Sequence, residues 1–192
     1  MFFINQIAAL LPASYSLSDQ ASALVVIITS LAISAAMFLL MLYWLLTKSF
    51  ETIKTFFAML VIMLVLIVCI RLAINNQVKT AAWILILLMI LINLANMASY
   101  GIATSASAAY LIPILLAIFC ISTGAGYIIA GLGCLFVFGI AFLQSKEKIK
   151  TFLPYQASHL TFDAPVLSLV YIVVAFITGS WVAPIKEVLF NK

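Results

Sequence analysis

Residues 80–145 read TAAWILILLMILINLANMASYGIATSASAAYLIPILLAIFCISTGAGYIIAGLGCLFVFGIAFLQS, 66 residues without one Asp, Glu, Lys or Arg. A spanning helix needs roughly 20 apolar residues to cross a bilayer core. The stretch is therefore about three crossings long and turns twice without using a charge. Small and polar residues mark the turns, Tyr100–Ser107 (YGIATSAS) and Ser122–Gly126 (STGAG). The reading gives a third span at 80–97, a fourth at 108–121 and a fifth at 127–143. Pro113 falls in the first turns of the fourth, where its missing N–H does least harm.

Working outward, the first span covers 21–46. Ser18 is a capping residue and Asp19 suits the positive end of a helix, with Leu17 just outside. Tyr43 and Trp44 sit at the far end, at head-group level. The second span covers 55–74. Its charge-free part is short, so Arg71 either snorkels or faces the bundle interior, and Asn75, Asn76 and Lys79 just after it favour snorkelling. After the fifth span comes the longest loop, 144–164, with Lys146, Glu147, Lys148, Lys150, Pro154, Tyr155, His159 and Asp163. Asp163 before Pro165 is a helix-start pair, and it opens a sixth span at 165–182 that Pro184 ends. At the N-terminus, Phe2–Leu11 is too short to cross and reads as a helix lying in the interface, with a frayed end as the alternative. No Lys or Arg precedes it, as a secretory signal would require.

The composition agrees. The chain of 192 residues is 67% hydrophobic and 7% charged, with mean hydropathy +1.33, against about 25% charged in soluble domains. The fold class expected is all-α, a polytopic membrane helical bundle of six transmembrane helices, residues 1–192 forming one integral domain. The bilayer is its first partner. The net charge of +4 is not clustered on one face, so no nucleic-acid partner is implied. Six spans put both termini on one side. Arg71, Lys79, Lys186 and Lys192 on that side balance Lys48, Lys54, Lys146, Lys148 and Lys150 on the other, so the positive-inside rule does not choose the orientation.

Little in the chain resembles catalytic machinery. No paired carboxylate lies within a span and no nucleophile–base pair is recognisable, so the expectation is a non-enzyme. Cys69, Cys120 and Cys134 sit in apolar runs without CxxC spacing, and His159 is the single histidine. No metal or other cofactor is expected. Two helical patterns remain. Gly126, Ala130 and Gly133 share one face of the fifth span, a pattern that lets helices approach closely in lipid. Asn93, Asn96 and Tyr100 share a face near the end of the third. Buried amides in a bilayer need partners, so this stripe is either interhelical bonding or a polar ligand site. Ser168, Tyr171, Ala175 and Thr178 form a second mildly polar face, on the sixth span, and Tyr171 joins the candidate ligand residues.

The run from Asn75 to Pro154 resembles the N-terminal membrane input domain of bacterial sensor histidine kinases and diguanylate cyclases. The similar elements are a Lys-bearing loop before Ala81, Ala82 and Trp83, a small-residue turn, Tyr110 before a Leu-rich span, a tight turn, a small-residue span, and Leu153–Pro154. Where those proteins often carry Gly-Arg-Arg between the fourth and fifth spans, this chain has the neutral 122–126. The resemblance implies cytoplasmic termini at a bacterial inner membrane and an external 144–164 loop. No dimerisation helix, kinase or cyclase domain follows, so it implies a detached input module that signals through a protein partner or homo-oligomer. An alternative is the substrate-binding subunit of an energy-coupling-factor vitamin transporter. Its six spans match, and Ala32 and Ala36 repeat the small-residue spacing such subunits use for coupling. A small accessory subunit of a larger membrane complex is a third.

Overall fold

The computed structural model describes residues 11–12, 15–47, 53–102, 105–146 and 157–190. The described residues form helices and no strands. In chain order the helices are α1 (Leu17–Thr47), α2 (Ile53–Ile74), α3 (Val78–Tyr100), α4 (Ser105–Ala109), α5 (Leu111–Cys120), α6 (Thr123–Ser145) and α7 (Ala157–Phe190). Five of them, α1, α2, α3, α6 and α7, are long and apolar enough to cross a membrane. The expected fourth span is different. Ser107–Cys120 is apolar but short, and at 1.5 Å per residue it reaches about 21 Å against a core of about 30 Å. It is also broken at Tyr110. Pro113 has no N–H to offer the Ala109 carbonyl, and its ring crowds that carbonyl. Tyr110 keeps a helical backbone, φ −64° and ψ −16°, and its N–H bonds the Ser107 carbonyl, 3.2 Å away.

The chain divides into two compact units, Met1–Leu85 and Ile86–Lys192, with the division inside α3. In the first unit α1 packs on α2. Ser16, not Ser18, caps α1: its Oγ accepts the Asp19 N–H at 3.1 Å and donates to the Asp19 carboxylate at 2.7 Å. Leu17 is therefore the first helical residue, because the cap that reaches Asp19 must stand three positions before it. The expected interfacial helix at 2–11 lies outside the described residues except for Leu11, which packs on Tyr15, Ala23 and Val78.

Tyr15 is the anchor of this unit. Its hydroxyl donates to the Ala73 carbonyl at 2.5 Å, with the Asn76 backbone N–H nearby. Ala73 is in the last turn of α2, where carbonyls lack intrahelical partners. The same end is closed by Asn76 in the left-handed region, φ 63°, and by Gln77 N–H on the Leu72 carbonyl at 3.0 Å. Arg71 lies in this last turn, where a cation suits the helix dipole. Burial pushes the Tyr15 phenol above the ordinary tyrosine value; the Asn76 N–H opposes that rise and Asp19 adds to it.

In the second unit α6 packs on both α5 and α7, and α5 on α7. The turn between α5 and α6 is tighter than 122–126. Ser122 is the N-cap, its Oγ accepting the Ala125 N–H at 3.1 Å, so Thr123–Gly126 is already the first turn of α6. The Ile121 and Ser122 N–H groups both bond the Ala117 carbonyl. The long loop is also shorter than 144–164. Helix α6 runs to Ser145 and α7 starts at Ala157, so Asp163 and Pro165 lie inside a helix. Pro184 likewise does not end α7, which runs on to Phe190. Both prolines are carried inside the helix, as membrane helices tolerate where neighbours satisfy the freed carbonyls. His159 is on the first turns of α7, while Lys48, Glu51, Lys148, Lys150, Pro154 and Tyr155 fall outside the described residues.

Candidate functional site

Asn93 is buried, and its Nδ2 donates to the Met89 carbonyl of its own helix at 2.8 Å. Asn96 is half-buried and Tyr100 is exposed at the helix end. A side-chain bond back to the i−4 carbonyl costs no ordering of a second helix, which is why it competes with an interhelical one.

Tyr171 belongs elsewhere. It is wholly buried on α7, its hydroxyl donating to the Ser107 carbonyl of α4 at 2.5 Å. Its ring lies against Tyr110, centroids 5.3 Å apart and tilted by 31°. Tyr110, also wholly buried, donates to the Ile129 carbonyl of α6 at 3.3 Å and meets Phe136 edge-on at 6.4 Å. The Ser107 Oγ donates to the Ile102 carbonyl, and Cys134 Sγ approaches the Ser168 carbonyl at 3.6 Å. The cluster of Ser107, Tyr110, Cys134, Ser168 and Tyr171 is thus a set of donors, nearly all spent on backbone carbonyls of other segments. The exception is Ser168, 6% exposed, whose Oγ has no partner.

Glycines make room for this cluster. A Cβ at Gly133 would stand 2.4 Å from Tyr110 Cε1 and 3.1 Å from Tyr171 Cδ2. A Cβ at Gly126 would stand 2.1 Å from Ile118 Cγ1. Ala130, between them on the same face, is buried. A third close approach is on α7, where a Cβ at Gly179 would stand 2.6 Å from Thr123 Cγ2 and 2.7 Å from the Tyr127 hydroxyl. These contacts pair 118 with 126, 110 with 133, 171 with 133 and 179 with 123, so α6 runs antiparallel to both α5 and α7.

The sequence placed Tyr171 among ligand candidates and Gly133 among packing positions, without joining them. Ser107 and Tyr110 were missed as partners, since Pro113 frees the Ala109 carbonyl and not that of Ser107. Among the described residues no group of three or more His, Cys, Asp or Glu stands close enough to hold a metal ion. The arrangement is suited to holding helices together rather than to moving a proton or an electron pair, since its donors face carbonyls that cannot accept a proton outright. No known protein family, curated protein or solved structure matches this chain.

Proposed function

We propose that this protein is a non-enzymatic membrane module of sensory or regulatory type, which responds to a small apolar or amphipathic ligand or to the state of the bilayer and acts through a protein partner. The observation that carries this reading is the commitment of the buried polar groups of the second unit to helix–helix ties, Tyr171 to Ser107 and Tyr110 to Ile129. Ties of this kind set which of two helix packings is favoured, and a stimulus acts by shifting that balance. Support for a partner comes from α1, whose second half is exposed around Ala32, Ala35 and Ala36. Small residues on a lipid-facing surface lower the cost of close approach by another helix. By resemblance, the membrane is the bacterial inner membrane and the termini are cytoplasmic.

A photo-crosslinking side chain placed at Ala32 or Ala36, in cells that make the protein natively, tests this. A discrete protein adduct, absent when the same group is placed at the buried Ile140, is the expected result. Adducts to lipid alone would sink the partner reading.

The exposure of Ala32 and Ala36 also favours a second reading, the substrate-binding subunit of an energy-coupling-factor transporter. The two readings differ in what travels with the purified protein. An ATPase pair and a bound vitamin mark transport, whereas a kinase, a cyclase or a second copy of the chain marks regulation.

A further inference from the structure

Helices α6 and α7 meet along a seam that is pinned at two places on one side. Near the start of α6, a Cβ at Gly179 would stand 2.6 Å from Thr123 Cγ2 and 2.7 Å from the Tyr127 hydroxyl. Farther along, Cys134 Sγ is 3.6 Å from the Ser168 carbonyl. Thr123 to Cys134 and Ser168 to Gly179 are each eleven residues apart. At 1.5 Å per residue, both helices therefore set the pins about 16 Å apart. Between the pins, helical period turns Ala130 and Gly131 of α6 to this side, with Ile172 and Ala175 of α7 opposite. Ala130 and Ala175 are buried and end in a methyl group. Gly131 is exposed, with nothing within 4 Å of an added Cβ. The seam thus carries a notch that opens outward at Gly131.

One end of the notch is polar and unsatisfied. Ser168 is 6% exposed and its Oγ has no partner, while Cys134 beside it is half-buried. A buried hydroxyl without a partner raises the free energy of the packed state, and such groups in folded proteins are usually met by a water or a ligand. No Asp, Glu, Lys or Arg falls within 123–134 or 168–179, so nothing on these two segments would neutralise a charge brought into hydrocarbon. The molecule that suits this setting has an apolar body and one neutral hydrogen-bonding group.

We propose that the α6–α7 notch binds a neutral single-chain amphipath that enters from the bilayer. Its chain lies over Ala130, Gly131 and Ala175, and its hydroxyl or carbonyl bonds the Ser168 hydroxyl, which can both donate and accept. The Cys134 thiol, held by one long contact, turns off the Ser168 carbonyl to admit it. The distance between the pins limits the chain to a medium length. This gives the amphipathic ligand of the regulatory reading a site, and it rests on that reading for its purpose.

The probe is n-octanol, with n-octane as the control that lacks the polar group. Both are added to the full-length protein in native membranes, and alkylation of each cysteine by N-ethylmaleimide is followed by peptide mass spectrometry. Octanol is expected to slow Cys134 labelling in a saturable way, and octane to leave it unchanged. Cys69 and Cys120, both buried, are expected to keep their rates. Ser168→Ala removes the hydrogen bond to the probe and is expected to raise the half-saturating octanol concentration by about five- to tenfold, the range one hydrogen bond gives. That variant loses only an unpaired hydroxyl, so its fold is retained. Gly131→Leu fills the notch from its exposed side and is expected to abolish the protection. Equal protection by octane, or equal slowing at all three cysteines, would mean a general effect on the bilayer and overturns the site. An unshifted octanol curve in Ser168→Ala, or protection that survives Gly131→Leu, overturns it too. The readout is occupancy at Cys134, not capture of a protein at Ala32 or Ala36, so the notch and the partner reading fail separately.

Discussion

Two faces of α6 carry glycines, and they behave as opposites. Gly126 and Gly133 lie where a single added carbon would stand 2.1 Å from Ile118 and 2.4 Å from Tyr110. Gly131 and Gly139, on the other side of the same helix, have nothing within 4 Å of that carbon. Glycine weakens a helix interior wherever it stands. On the inner face the loss is offset by the close approach of α5 and of the Tyr110–Tyr171 pair; on the outer face no contact among the described residues offsets it. The same residue type is thus a packing device at one position and a local weakness five or six positions away. Only the neighbour decides which.

The largest effect expected from this contrast is at the inner face. Gly133→Ala and Gly126→Ala each force a rigid ring or a branched carbon to move, and should cost about 1–3 kcal/mol, the usual range for overpacking a filled core. Gly131→Ala should instead stabilise by about 0.5–1 kcal/mol through helix propensity alone. Unfolding midpoints of the purified variants in one detergent compare the pairs, and equal shifts at Gly131 and Gly133 would erase the distinction between the faces.

A second contrast concerns the tyrosines that anchor each unit, Tyr15 on Ala73 and Tyr171 on Ser107. Tyr15→Phe leaves a terminal carbonyl of α2 without its partner and should lower stability by about 1 kcal/mol. It should also change the response to alkali. The folded-state value of Tyr15 is raised, so its contribution is full below the unfolded tyrosine value of about 10. It is lost as pH rises through the folded value, because the unfolded phenol ionises first. Stability measured from pH 8 to 11 should fall less in Tyr15→Phe than in the unaltered protein; parallel curves would show that the Tyr15 hydroxyl is not buried in the folded state.

Smaller effects are expected at α1. Ser16→Ala removes the cap that holds Asp19 and should cost about 0.5–1 kcal/mol. Ser30, wholly buried with its hydroxyl unpaired, should behave in the opposite sense. Ser30→Ala removes a desolvated group that makes no bond, and a gain of a few tenths of a kcal/mol, up to about 1 kcal/mol, is expected. A loss there would mean that the hydroxyl has found a partner in the bilayer or in another chain.

Much of the fold was legible in the residues. The uncharged stretch 80–145 required helices, because backbone groups in hydrocarbon must bond within their own segment. The face formed by Gly126, Ala130 and Gly133 was legible from spacing, since helical period alone fixes which residues share a side. The partners of that face were not. Which turn of α5 meets Gly133 depends on where α5 begins and breaks, and that follows from Tyr110 and Pro113 acting together. The Asn93 stripe shows the limit most clearly. Spacing put three polar groups on one face, but Asn93 could reach a carbonyl of its own helix at 2.8 Å, and the local bond was taken.

The sequence by itself determined that this protein lives in a bilayer, is built from helices and carries its close-packing residues on one side of α6. These are consequences of solvent and of helical period, and they need no knowledge of neighbours. Tertiary structure alone decided that the fourth apolar segment is a short, interrupted helix, that Tyr171 bonds Ser107, and that the Ser168 hydroxyl is left unpaired. Those outcomes depend on antiparallel register and on the length of each helix relative to the next, quantities set only when the helices pack.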